Sequence, residues 1–545
     1  MLKTARDSIC LPLRRHGRRF FRDEDGALII FTLMLFVLMI MMGGLAVDLM
    51  RFEQKRTKLS NTLDRCTLMA ASLTNDLDPE SVVRDCVDKM GMSDQLAEVE
   101  VTQGLNFRDV RTTGVVDTKP FFMHMVGVDD FDARGASRAE QRITNVEIML
   151  VLDVSGSMQG AKIANLRTAA SEFVETLLAS DTEGRFSVTI VPYNAQVNLG
   201  PVLLAKYNAT HQHGVANVNC LEVPVSAYGS LALPRTLPMP MSAYADLTNG
   251  TNQAITYVGW ADTSLSRQTA GSPWCRNTRA NIVRLPSNDV NQLQAQINGL
   301  QAGGNTSIML GMKWGVTLLD PSARGMFSEL ISENAIPAKF AGRPFDYTDD
   351  QAMKVIVLMT DGEHVAHNKT NDAFKTGSSP IWRSLGDGNY SIHHPTRVGT
   401  NKFWVPHRTE WRAAAWNSGA GFDQLDWNEV WANQRQSWVA WQLYARALGT
   451  TNSTRTKAYI AAMTSFQSEY ASKDAMNTQL QQSCALVKAQ DVTVYGIAFE
   501  APVNGQAQIS QCASSPSHYF NAQGLEIQTA FRAIASNITQ LKLTQ

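Results

Sequence analysis

The segment Val146-Glu147-Ile148-Met149-Leu150-Val151-Leu152 is an almost unbroken apolar run of strand length, and it stops at Asp153. Apolar residues at consecutive rather than alternate positions fit a strand buried on both faces, as in the parallel sheet of an α/β domain. Directly after the run, Asp153, Ser155 and Ser157 alternate, and Gly156 permits a tight turn. In an open α/β sheet, ligands lie in the crevice beyond the carboxyl ends of the strands. One carboxylate and two hydroxyls at that place form a cluster of hard oxygens, which suits Mg²⁺ or another divalent cation such as Mn²⁺ or Ca²⁺.

Two further pieces follow in the chain. Gly303-Gly304-Asn305-Thr306 opens a helical stretch from Ser307 to Leu319. Lys354-Val355-Ile356-Val357-Leu358-Met359 is a second apolar run, and it ends in Thr360-Asp361-Gly362. Together the three pieces resemble the metal-ion-dependent adhesion site of von Willebrand factor type A domains, an Asp-x-Ser-x-Ser loop completed by a Thr and a second Asp. The resemblance implies that Asp153, Ser155, Ser157, Thr306 and Asp361 are the metal-site residues. It also implies that an Asp or Glu of a protein partner completes the metal shell.

The chain has 545 residues, enough for more than one domain and a large core. A net charge of −1 offers no bulk electrostatic case for nucleic acid. Ala27 to Val47 is an uninterrupted span whose only polar side chain is Thr32. As a helix it is long enough to cross about 30 Å of hydrocarbon. Before it stand Lys3, Arg6, Arg14, Arg15, Arg18, Arg19 and Arg22, which argue for a cytoplasmic N-terminus. Cys10 precedes the span and Cys66, Cys86, Cys220, Cys275, Cys484 and Cys512 follow it. An even number on one side of a membrane points to disulfides in an oxidising compartment. Sequence neighbours suggest Cys66–Cys86, Cys220–Cys275 and Cys484–Cys512, although sequence alone leaves the connectivity open.

Asp48 to Ser72 lacks Gly and Pro, and Phe52, Leu59, Leu63, Cys66 and Ala70 recur at helical spacing, so the span continues outward as an amphipathic stalk. Arg22-Asp23-Glu24-Asp25-Gly26-Ala27, the apolar helix, and then Asp48, Arg51 and Leu63-Asp64 resemble the N-terminus of TadE/TadG-like proteins of bacterial tight-adherence (Tad, or Flp) pilus systems. The order anchor, short extended region and von Willebrand A-like domain resembles TadG in particular. Gly26 before an apolar helix also resembles a prepilin peptidase site, but Phe31 stands where prepilins carry Glu, so the segment reads as an uncleaved anchor.

The resulting organisation is a basic leader (1–26), a transmembrane helix (27–47), a helical stalk (48–95), a small β-rich spacer (96–143) and a head (144–545). The head reads as α/β, a von Willebrand A-like doubly wound, mostly parallel sheet flanked by helices. Two insertions, 196–287 and 363–455, interrupt it, and the second holds eight of the eleven tryptophans. These either form that segment's own core or supply an exposed recognition surface. Ile527, Ala530, Phe531, Ile534, Ile538 and Leu541 form the apolar stripe of a final helix.

A binding role is expected rather than an enzyme. No Gly-x-Ser-x-Gly, His-Glu-x-x-His or Gly-x-x-x-x-Gly-Lys-Ser/Thr motif occurs. His364 and His367, just past Asp361, could tune the site or hold a second ion, but read as ordinary loop residues. Two roles remain open. One is an inner-membrane, mostly periplasmic component that holds other Tad pilus or secretion proteins. The other is a surface or pilus-tip adhesin that binds an external target. The intact anchor favours the first, and it argues against a cytoplasmic recruiter.

Overall fold

The computed structural model describes residues 25–72, 75, 77–103, 107–142, 145–179, 181, 184–245, 273–349 and 351–539. The basic leader up to residue 24, residues 246–272 of the first insertion and Leu541 lie outside the described residues. The chain divides into two compact units, Met1–Arg142 and Ile143–Gln545.

In the first unit, α1 (Asp25–Ala71) is one helix of 47 residues, about 70 Å at 1.5 Å per residue. Side chains from Leu28 to Ile40 are exposed, and among the described residues α1 is the one helix long and apolar enough to cross a membrane. Past Asp48 the stripe Leu59, Leu63, Cys66 and Ala70 turns inward. It packs with α2 (Pro79–Lys89) and the antiparallel sheet of β1 (Leu96–Gln103), β2 (Phe107–Val116) and β3 (Ala133–Arg142). Asp78 caps α2 by accepting from the Ser81 N–H at 2.9 Å, and Cys66–Cys86 ties α2 to α1. The stretches read as stalk and spacer therefore share one core. A helix with an apolar stripe and a sheet with one apolar face each need a partner, and here they cover each other.

The second unit is built on a six-stranded sheet. Its strands are β4 (Asn145–Asp153), β5 (Phe186–Tyr193), β6 (Arg284–Ser287), β7 (Ala352–Thr360), β15 (Thr493–Phe499) and β16 (Tyr519–Ala522), where β8 to β14 belong to the insertion described below. The order is β16-β15-β7-β4-β5-β6, parallel except for β6, which runs antiparallel to β5. Every residue of β4 after Asn145 is buried, as consecutive apolar positions predict. Met149 and Val151 join a core with the helix Ile308–Leu319, while Ile148, Leu150 and Leu152 alternate to the other face. The helices Ala161–Ala179 and Glu526–Thr539 meet through Phe173 and Phe531, ring centroids 5.5 Å apart.

Both insertion boundaries differ from expectation. Arg284–Ser287 lies inside the expected 196–287 insertion but is the sheet's edge strand; at four residues with an irregular register it carries little strand signal. The second insertion runs to Ala471 rather than 455, because β8 (His367–Thr370) closes on β14 (Gln467–Ala471). Between them lies a five-stranded antiparallel sheet, β9 (Ser378–Ser384), β10 (Tyr390–His393), β11 (Phe403–Val405), β12 (Glu410–Arg412) and β13 (Phe422–Asp426), in the order β12-β11-β10-β9-β13. Trp404, Trp427, Trp431, Trp438 and Trp441 are buried in its core, together with Trp274 and Ala243 of the first insertion. The two insertions thus form one body, joined also by the buried pair Glu222–Lys375 at 2.7 Å. Disulfides Cys220–Cys275 and Cys484–Cys512 complete the pairing suggested by sequence order.

Candidate functional site

Parallel register sets the site. Leu152 of β4 pairs with Met359 of β7, so Asp153 and Thr360 leave the sheet side by side. The Asp153 carboxylate is buried; one oxygen accepts the Ser155 N–H at 2.7 Å, and the other accepts the Thr360 hydroxyl at 2.7 Å. Ser155 Oγ lies 3.0 Å from Ser157 Oγ, which donates to Asp361 Oδ1 at 2.7 Å. A Cβ placed on Gly362 would lie 3.5 Å from Thr306 Oγ1 and 3.6 Å from Ser157 Oγ, so those two hydroxyls border the same space. All five residues nominated from sequence are therefore brought together.

The third loop is held by backbone bonds. The Gly156 N–H donates to Gly304 O and the Gly303 N–H to Val154 O, each at 2.8 Å. Gly304 has φ of +92°, which a side chain would strain. Asn194, the first residue after β5, donates from Nδ2 to Gly303 O and accepts the Ser307 N–H, both at 2.8 Å.

Burial, and then the neighbouring Asp361 carboxylate, push the Asp153 carboxyl up to about 7. Lys162 supplies one local cation, with Nζ 2.8 Å from Asp361 Oδ2 and 3.8 Å from Glu500 Oε2. Two carboxylates and three hydroxyls form an oxygen-only donor set, which fits a hard divalent ion and offers nothing to a soft one. Among the described residues no group of three or more His, Cys, Asp or Glu side chains is placed to hold a metal, so any ion here would rely on the hydroxyls.

His364 and His367 are not part of this cluster. His364 is buried; Nε2 accepts the Met309 N–H at 2.9 Å, and Nδ1 meets Asn477 Oδ1 at 2.8 Å. Burial pushes its pKa down to about 4. His367 packs between Tyr470 and Trp274, with centroids 5.1 and 5.4 Å away.

Thr360, Asn194 and Lys162 escaped the sequence reading. Asn194 had one usable signal, a polar residue directly after the fully buried strand β5. Lys162 had none, because only the fold carries it to Asp361.

Residues 26–73 match the family model described as putative Flp pilus-assembly TadE/G-like. The chain carries a TadE/G-like N-terminal segment. The TadE/G-like match covers α1 after its first residue and leaves the second unit, with all five site residues, outside it. No match was found among curated proteins. Similar solved structures include the von Willebrand factor domain of the type V pili tip protein Mfa5 from Porphyromonas gingivalis, at 12% identity and TM-score 0.29 over 73% of this chain and 96% of that one. The pilus adhesin SpaC from Lactobacillus rhamnosus GG is similar at 10% identity and TM-score 0.29, over 82% of this chain and 34% of that one. The PilB minor pilin from Streptococcus sanguinis is similar at 12% identity and TM-score 0.28, over 82% and 78%. The TadE/G-like segment thus sits in a chain of mixed α/β structure, and the description of the matching family concerns pilus assembly.

Proposed function

We propose that this protein is a membrane-anchored, TadG-like component of a Tad/Flp pilus assembly or secretion system that binds partner proteins through a divalent-metal site in a doubly wound von Willebrand A-like head. The observation that carries the reading is the Ser155–Ser157–Asp361 hydrogen-bonded chain beside Asp153 and Thr306, five oxygen-bearing residues drawn from three separate loops. Asp153, Ser155, Ser157, Thr306 and Asp361 would hold Mg²⁺, Mn²⁺ or Ca²⁺. A bound ion would offer an electron-poor position to a carboxylate oxygen of a partner. The chain's own residues do the rest: Thr360 and the Ser155 N–H orient Asp153, and the Gly156–Gly304 bond sets the loop that carries Thr306.

The anchor supports an inner-membrane location, with the leader cytoplasmic and the bulk periplasmic, where other pilus components are within reach. The three disulfides suit such an oxidising compartment. The test is a crosslinking capture from native cells with wild type and Asp153→Ala, after folding and membrane attachment of the variant are verified. Tad components captured by wild type and lost with Asp153→Ala are expected. Unchanged capture would sink the metal-bridged interface, and capture of an external target alone would replace this reading with a surface adhesin.

A further inference from the structure

In the first unit, a short apolar loop is fastened to α1 at the point where the apolar span ends. Asp48 is the first ionisable residue after that span, and its side chain is fully buried. Its carboxylate accepts three successive backbone N–H groups, from Phe121 at 2.9 Å, Phe122 at 2.6 Å and Met123 at 2.9 Å. A carboxylate that gathers three backbone donors fixes both position and rotation of the segment that supplies them.

The ring of Phe122 lies directly over Gly44, one helical turn back inside the span; a Cβ on Gly44 would sit 2.4 Å from Phe122 Cγ. Glycine is required there for this approach. Phe131 stacks on Phe52 at 4.6 Å, and Lys55 Nζ donates to Asp117 O at 2.9 Å, so both flanks of the loop are also tied to α1. The loop ends in a turn, Met123–Val126, closed by Gly127.

Although it is held this firmly, the loop shows its apolar side chains outward. Phe121 is 61% exposed, Met125 69% and Val126 48%. Arg51 lies over the Phe121 ring at 3.9 Å, which places a cation beside the apolar tip, the arrangement of residues that anchor at a membrane–water boundary. Because Phe122 touches Gly44, the loop lies beside the last turn of the apolar span.

We infer that residues 120–127 form a second membrane contact, dipping Phe121, Met125 and Val126 into the interfacial layer of the leaflet from which α1 emerges. The occupant of this apolar surface is lipid, since the surface is continuous with the apolar span. This inference rests on reading α1 as a membrane anchor. A single helix can rotate and tilt freely about its axis; a loop locked to it at Asp48 and immersed on one side would set its orientation.

The test uses the full-length protein in vesicles of phosphatidylethanolamine and phosphatidylglycerol. The photo-crosslinker p-benzoylphenylalanine replaces Met125, Leu35 within the span or Leu68 on α1, and lipid adducts are read by mass spectrometry. Leu68 is 66% exposed and lies about 30 Å along the helix from Asp48. Adducts at positions 35 and 125, at least fivefold above position 68, are expected. Adducts at 35 with position 125 no higher than 68 would overturn the loop contact and leave the anchor standing. Absence of adducts at 35 would overturn the anchor, and the loop contact with it.

Discussion

The His364 Nε2 accepts the backbone N–H of Met309 at 2.9 Å, so the loop that carries Asp361 is bonded to the first turn of the helix behind Thr306. The same loop is held again where the Val365 N–H donates to Thr306 O at 3.0 Å. The acceptor role requires a neutral imidazole. Burial lowers the His364 pKa to about 4 from an ordinary 6.5. The sign is that of a depressed histidine: its contribution is complete above pH 6.5 and is lost as pH falls towards 4. Its size is about 3 kcal/mol from the shift. His364→Gln keeps an acceptor and cannot titrate in this range. Thermal melts from pH 7.5 to 4.5 should therefore fall more steeply for wild type than for His364→Gln. Parallel slopes would show that another group controls acid stability.

Asp153 titrates with the opposite sign. Its carboxyl is raised to about 7 from 3.8, so its contribution to metal-free stability is complete below pH 3.8 and is lost as pH rises through 7. Two buried carboxylates then share the site without full compensation. Added Mg²⁺ should raise the melting temperature at pH 7.5 and have a much smaller effect at pH 5, where a proton occupies Asp153. Asp153→Asn should melt higher than metal-free wild type at pH 7.5 and should not respond to Mg²⁺. Differential scanning fluorimetry with Mg²⁺ or EDTA reads both; a Mg²⁺ shift that survives in Asp153→Asn would place the ion elsewhere.

The strands that carry the site were readable because burial on both faces makes them almost wholly apolar, with the buried pair Glu147 and Lys354 as the charged interruption. Leu152 and Met359 end such runs, and the residues that follow them are the ones a parallel sheet displays at its carboxyl edge. The edge strand Arg284–Ser287 has only four residues and one neighbour, so its composition is that of a loop. The end of the second insertion was hidden for another reason. The helix Asn452–Phe466 buries Tyr459, Met463 and Phe466 against the tryptophan core, yet no turn signal distinguishes it from a helix of the main sheet. Among site residues, Asp153, Ser155, Ser157, Thr306 and Asp361 were nominated by the resemblance of the three motif pieces, whereas Thr360 stood in one of those pieces without being singled out. Lys162 and Asn194 act through contacts made only in three dimensions.

Lys162 should oppose metal binding. Its ammonium lies 2.8 Å from Asp361 Oδ2, and its side chain is largely shielded, so a divalent ion must displace or tolerate a neighbouring positive charge. Removing that charge by Lys162→Met should tighten Mn²⁺ binding about five- to tenfold, the scale of one partly shielded charge pair. Isothermal titration calorimetry on the two proteins measures the difference. Weaker binding in Lys162→Met would instead assign Lys162 to positioning Asp361.

The joint between the two insertions yields a prediction independent of metal. Glu222 and Lys375 are almost wholly buried at 2.7 Å, and burial raises the Glu222 pKa even with Lys375 beside it. Lys369, at 3.8 Å, is the more exposed second cation. Lys375→Met leaves Glu222 with that distant partner alone, which should cost about 3–5 kcal/mol. The raised Glu222 pKa sets the pH dependence: with its cation removed, Glu222 takes up a proton more readily, so the loss should be smaller at pH 5 than at pH 8. Adding Glu222→Leu removes the stranded carboxylate and should recover most of the stability, because an apolar pair can replace a buried ion pair at little cost. Urea unfolding at both pH values, for the two single variants and the double, measures these differences. A double variant as unstable as Lys375→Met would mean that Lys375 acts through Asp372, 2.9 Å from its Nζ, rather than through Glu222.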